Sequence, residues 1–110
     1  MTPLRYVILR HEGWGEPHYD LMFETAPGSA LATWRSPTWP PADMKQLTRL
    51  PDHRRDYLEY EGPVSNNRGF VRRIERGHCQ IDHPDVQTWI ITLPKFTVKI
   101  QSATDGARLD

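Results

Sequence analysis

His18-Tyr19-Asp20-Leu21-Met22-Phe23-Glu24 sets metal-competent side chains in alternation with large apolar ones. In an extended strand alternate residues face opposite sides. Tyr19, Leu21 and Phe23 are therefore expected in a core, and His18, Asp20, Met22 and Glu24 on an open opposite face. The His18 imidazole and the Asp20 carboxylate then stand two residue rises apart, roughly 6–7 Å, which suits one shared ion. A polar strand face alone is equally what a half-solvated antiparallel sheet presents. Two further features favour the metal reading. His11 stands upstream across Gly13-Trp14-Gly15, a segment able to fold back and bring a third ligand to the same point. Downstream, Asp52-His53-Arg54-Arg55-Asp56-Tyr57 adds an imidazole, a phenol and two guanidinium groups suited to an anionic substrate. Two histidines and one carboxylate suit manganese, iron or zinc and leave positions open for water or substrate.

Outward from this stretch, Arg5 to Arg10 reads as a first strand that ends as His11 enters the loop, and Thr25 to Ser29 is a turn that returns the chain into a strand over Ala30 to Arg35. Pro37, Pro40 and Pro41 make the following segment a surface loop. Met44, Leu47 and Leu50, with Asp43 before them, predict a short helix over Ala42 to Leu50. Tyr57 to Glu61 alternates as a strand, and Phe70 to Glu75 with His78 to Asp82 reads as a hairpin about Arg76-Gly77. Val86 to Leu93 and Lys95 to Ser102 form a last pair joined at Pro94. Many short strands, turn signals between them and one or two short helices predict a mainly β fold, a small antiparallel barrel spanning residues 1–102, with a frayed polar tail at 103–110.

A chain of 110 residues accommodates one domain with a modest core. Fourteen basic residues balance fourteen acidic ones, so bulk electrostatic adhesion to nucleic acid is not expected. Any such contact must be local, and between Arg49 and Arg76 seven arginines stand against five acids, a small positive excess that a solvated surface equally presents. The single cysteine, Cys79, excludes an intramolecular disulfide and a cysteine zinc cluster and reads as a buried inert thiol. No apolar run approaches membrane-spanning length and no leader pattern opens the chain, so a cytoplasmic protein without membrane contact is expected. Of the four tryptophans, Trp14 between its glycines is the one expected to be exposed. His78, beside the expected hairpin turn, and His83, before Pro84 in an expected loop, read as exposed polar residues, and an oxygenase triad that drew one of them in with His18 and Asp20 would need a larger scaffold than this chain provides.

The order Tyr6-Val7-Ile8, His11, His18-Tyr19-Asp20-Leu21, Glu24, Trp34, Asp52-His53, Asp56-Tyr57 and Glu61-Gly62 resembles the 3′-phosphoesterase domain of bacterial DNA ligase D and its stand-alone relatives, over roughly Arg5 to Leu93. The resemblance implies that His11, His18 and Asp20 hold manganese or another divalent transition metal such as zinc. It also implies that His53 and Tyr57 address the phosphate catalytically, in a small β barrel with an open groove. Lys45 stands where the family carries an arginine, keeping charge without the bidentate fork. Met22 replaces the arginine that usually follows His-Tyr-Asp-Leu, and Arg54, Arg55 or Arg68 are the candidates to compensate. The implied function is metal-dependent hydrolysis at nucleic-acid 3′ ends in DNA repair, removing a phosphate or a ribonucleotide, with a repair ligase or polymerase as partner. The alternatives are a module that binds phosphate or nucleic-acid ends with little turnover, favoured by Met22, and an enzyme of small phosphorylated metabolites, favoured by the neutral charge.

Overall fold

A computed structural model describes residues 3–101. Its eight strands are β1 (Leu4–Glu12), β2 (His18–Glu24), β3 (Leu31–Ser36), β4 (Thr48–His53), β5 (Gly62–Pro63), β6 (Phe70–Asp85), β7 (Thr88–Thr92) and β8 (Thr97–Gln101). All pair antiparallel in the order β4-β3-β2-β1-β6-β7-β8, with β5 on β6. The sheet curls into a half-barrel, mainly β as the turn spacing predicts. The only helical pieces among the described residues are 3-10 turns at Met44–Gln46 and Arg55–Leu58.

The central hairpin of β1 and β2 is apolar on both faces, and each face has its own cover. On one side Tyr6, Ile8, Leu21, Phe23, Ala32 and Trp34 pack against Cys79, Ile91, Leu93, Val98 and Ile100. The covering strands β7 and β8 reach this side because β6 is long enough to pair β1 with its first part and β7 with its last. On the other side Val7, Leu9, Met22 and Leu31 pack under Leu58 and Val71. The face that carries His18, Asp20 and Met22 is therefore covered, not open: Met22 is 1% exposed.

Three expected elements differ from those observed. Residues 42–50 hold one 3-10 turn, in which the Asp43 carboxylate accepts from the Lys45 N–H at 2.9 Å. Met44 and Leu47 both pack against the larger core, an anchoring that their helical spacing imitates, and the chain then runs out as β4. Pro51 is tolerated there because β4 is a sheet edge. Tyr57 to Glu61 is not a strand, because Leu58 turns inward to plug the smaller core while the 3-10 turn closes around it. Arg76-Gly77 is no hairpin: β6 runs straight through it, and Gly77 lies opposite Tyr6, where an added Cβ would stand 3.3 Å from the ring. The glycine clears space for an aromatic ring, not a turn. The expected frayed tail lies outside the described residues. Cys79 is buried, and burial pushes its thiol up to about 12, an inert group at neutral pH.

The smaller cover is tied down by Glu24, 3% exposed. Its carboxylate accepts from the Arg55 guanidinium, from the Arg5 N–H at 2.7 Å and from the Gly28 N–H at 3.4 Å. Burial alone would raise this carboxyl, but the three donors outweigh it and hold the group below its ordinary value of 4.5. A carboxyl so depressed contributes stability above its unfolded pKa and loses it as pH falls through the folded one. Glu24→Gln should cost about 2 kcal/mol at pH 7, less than breaking a fully buried pair, because Arg55 keeps 37% of its side chain exposed. The same change should flatten the loss of stability below about pH 4.5, as denaturant melts of both proteins from pH 3 to 7 would show.

Candidate metal centre

β1 and β2 deliver the three expected ligands by register. His11 pairs with His18 at the loop end of the hairpin, and Asp20 sits one step inside, opposite Leu9. Gly13 and Gly15 take positive φ of 85° and 68°, the left-handed backbone that lets the connection turn back tightly. The three side chains are nearly buried, at 6%, 7% and 4% exposure.

Second hydrogen bonds fix how the rings are presented. His11 Nε2 donates to the Arg68 carbonyl at 2.6 Å, and His18 Nδ1 donates to the Glu16 carbonyl at 3.0 Å. A carbonyl can only accept, so each imidazole carries its proton away from the centre. The opposite nitrogens, His11 Nδ1 and His18 Nε2, turn their lone pairs toward Asp20, at 3.6 Å from Oδ2 and 3.7 Å from Oδ1. Neither distance is a hydrogen bond. Both nitrogens and Asp20 Oδ1 are buried without a partner among the described residues. Three unsatisfied acceptors at one point are costly in a dry protein, whereas a cation satisfies them together. All three ligand atoms lie within 4.8 Å of one another, and bonds of about 2.0–2.2 Å to a tetrahedral ion would place neighbouring donors roughly 3.4 Å apart. Anchoring a ligating imidazole through its far N–H is the arrangement metal sites use to orient the ring. Burial also holds the His18 imidazole below its ordinary 6.5, which favours the neutral, ligating form. The donors thus fit a divalent transition metal.

Two grooves meet at this centre. The first, about 420 Å³, is lined by His11, Asp20, Met22, Arg35, His53 and Tyr57 among others, with Arg54 and Arg68 at its rim. The second, about 440 Å³, runs past His18, Glu16, Pro17, Pro37, Gln46 and Thr48. Each has the volume of an ordinary small-molecule site. Trp14 and Arg35 line both. Trp14 is 44% exposed, as its flanking glycines predict, and its ring stacks on His11 at 5.7 Å.

The structure brings His53 and Tyr57 into the first groove with the ligands. His53 ends β4, Tyr57 lies on the second 3-10 turn, and their rings are 5.8 Å apart. Met22 forms apolar floor between the ligand row and the His53 row, since Leu9, Asp20 and Arg35 pair across three strands while Glu24, Leu31 and His53 pair two rows along. Of the arginines named to compensate for Met22, Arg54 and Arg68 reach the groove and Arg55 is taken up by Glu24. Lys45 is not brought to the site: it is exposed on the first 3-10 turn and lines neither groove, though its neighbour Gln46 lines the second. His78 and His83 are exposed and apart from the cluster, His83 stacking on Trp89 at 3.9 Å.

Sequence reasoning missed Arg35. Its Nε lies 3.8 Å from Asp20 Oδ1, a loose ion pair, and is buried without a hydrogen-bond partner. The signal was present: a turn over residues 25–29 that pairs Glu24 with Leu31 puts Arg35 opposite Asp20 on the same sheet face.

Compared with known proteins, the chain matches no family model and no curated protein.

If the three donors form a cation site, millimolar manganese should raise the melting temperature of the native chain. Saturation a hundredfold above Kd adds about 2.7 kcal/mol, which for a domain of this size is roughly 10 °C or more. His18→Ala should abolish the shift and the one-to-one stoichiometry in metal analysis. An undiminished shift in that variant would rule the site out.

Proposed function

We propose that the protein is a metal-dependent phosphoesterase that acts on nucleic-acid 3′ ends, removing a terminal phosphate or ribonucleotide during DNA repair. The observation that carries the reading is the set of three buried acceptors of His11, His18 and Asp20, without hydrogen-bond partners, beside a groove lined by Arg35, His53, Arg54, Tyr57 and Arg68, whose further carboxylate, Asp52, is paired with Arg49. The motif resemblance to the ligase D phosphoesterase domain supplies the nucleic-acid end as substrate.

Manganese is the ion proposed, and when bound it supplies Lewis acidity toward a phosphoryl oxygen. The chain's own groups do the rest. The carbonyls of Arg68 and Glu16 hold the two imidazoles in the ligating tautomer. His53 donates Nδ1–H to the Pro51 carbonyl at 2.8 Å, which leaves Nε2 for the substrate. As the imidazolium, His53 donates from Nε2, and with the Tyr57 hydroxyl it stabilises developing charge on the phosphoryl oxygens or protonates the departing alkoxide. A balanced net charge suits gripping one end of a strand rather than a long duplex. The partner proposed is a repair ligase or polymerase that uses the cleaned 3′ hydroxyl. No helix among the described residues is long and apolar enough to cross a membrane.

Met22 supports a second reading, an end-binding module with little turnover, because the groove floor there is a thioether packed among Val7, Leu9 and Val71 and offers no strong donor. The two readings separate on one assay. A 3′-phosphorylated oligonucleotide should be hydrolysed with manganese and not without it, faster than a small aryl phosphate, and Tyr57→Phe with His53→Ala should each lower the rate by 10²-fold or more. Binding without turnover would select the module. Preference for the small ester would remove nucleic acid from the proposal.

A further inference from the structure

We infer that Arg35 is the anion clamp of this site, binding a phosphoryl oxygen of the substrate beside the ion and taking the place of a guanidinium on β2. The inference rests on the phosphoesterase reading and assigns to this site a residue that the motif does not contain.

Three observations place Arg35 there. It stands directly across the β2–β3 pairing from Asp20, so the strand register sets its position and the loops do not. Its Nε is buried and forms a loose ion pair with Asp20 Oδ1 at 3.8 Å, beyond hydrogen-bond reach, and has no hydrogen-bond partner. Its side chain is nevertheless 38% exposed, so the remaining donors of the fork reach solvent at the wall where the two grooves meet. The other guanidiniums near the site are differently engaged. Arg55 is held by buried Glu24, Arg68 bonds the Ser65 carbonyl at 2.9 Å, and Arg54 is exposed at the rim of the first groove. Among the described residues Arg35 is the arginine that lines both grooves and also touches the ligand group.

The same position gives the inference an unusual signature. A guanidinium beside a ligating carboxylate repels a cation and attracts an anion. Removing it should therefore strengthen metal binding while weakening phosphate binding, two effects of opposite sign. A purely structural arginine, present to neutralise Asp20, would alter metal binding and stability without moving phosphate affinity.

The test uses the full chain and inorganic phosphate as the probe. Calorimetric titration of the manganese-loaded protein should show phosphate binding at least tenfold weaker in Arg35→Gln than in the native chain. Manganese titration of the apo proteins should show equal stoichiometry and equal or several-fold tighter affinity in the variant. Arg35→Lys, which keeps the charge without the fork, should fall between the two in phosphate affinity, and it decides the matter if the glutamine variant melts too low to titrate. Phosphate affinity unchanged within twofold in Arg35→Gln, or in Arg35→Lys where that variant must serve, overturns the clamp, as does a native loaded protein that binds no phosphate. The enzymatic reading is judged separately, by turnover of the 3′-phosphorylated oligonucleotide in the native protein. A native enzyme that turns over while Arg35→Gln binds phosphate normally refutes the clamp alone, and Arg35-dependent phosphate binding without turnover refutes the enzyme alone.

Discussion

Everything in this fold follows from the pairing of β1 with β2 in a register that puts His11 opposite His18. Slipping that pairing by one residue would turn every side chain of one strand to the other face. Both faces of the hairpin are buried, so such a slip would exchange Leu21 and Phe23 with His18 and Asp20 and leave polar groups in the larger core. The hydrophobic effect thus enforces the alignment of the ligands. A site at the end of a register-locked hairpin needs no further device to bring its members together.

The site was legible from the sequence where strand alternation governs it. His18 and Asp20 share a face because they are two residues apart in a strand, and the glycines around Trp14 announce the reversal that returns His11. Arg35 was equally deducible from the turn length, yet it carries no motif and so drew no notice. Elements governed by tertiary anchoring were less legible. Met44 and Leu47 imitate a helix because both touch the same core, and Tyr57-Leu58-Glu59 imitates a strand because alternation in a 3-10 turn of four residues looks the same. Gly77 shows the same ambiguity in reverse: an Arg-Gly pair between apolar runs signals a turn, and only the ring of Tyr6 lying across it reveals another purpose.

The face assigned to solvent was the largest physical misreading. Alternation predicts that one face of β2 is wet, and Met22 and Glu24 stand on that face almost fully buried. The cover comes from Leu58 and Val71, far along the chain. The ligand side chains beside this covered face are themselves nearly buried, and in such surroundings imidazole lone pairs and a carboxylate act on a bound charge more strongly than they would in open water.

The two covers are fastened very unequally. The larger core is closed by β7 and β8, continuous with the sheet through β6. The groove side is held by a two-residue strand, the Leu58 plug, the Glu24–Arg55 pair and the more exposed contacts of Glu59 with Arg5 and of Glu61 with Arg73. Cooperative opening of such a weakly attached segment costs less than global unfolding. Amide protons from Arg55 to Val64 would therefore exchange with solvent well before those of β1 and β2, and the lid carrying Tyr57 can breathe while the strands that aim the ligands stay still.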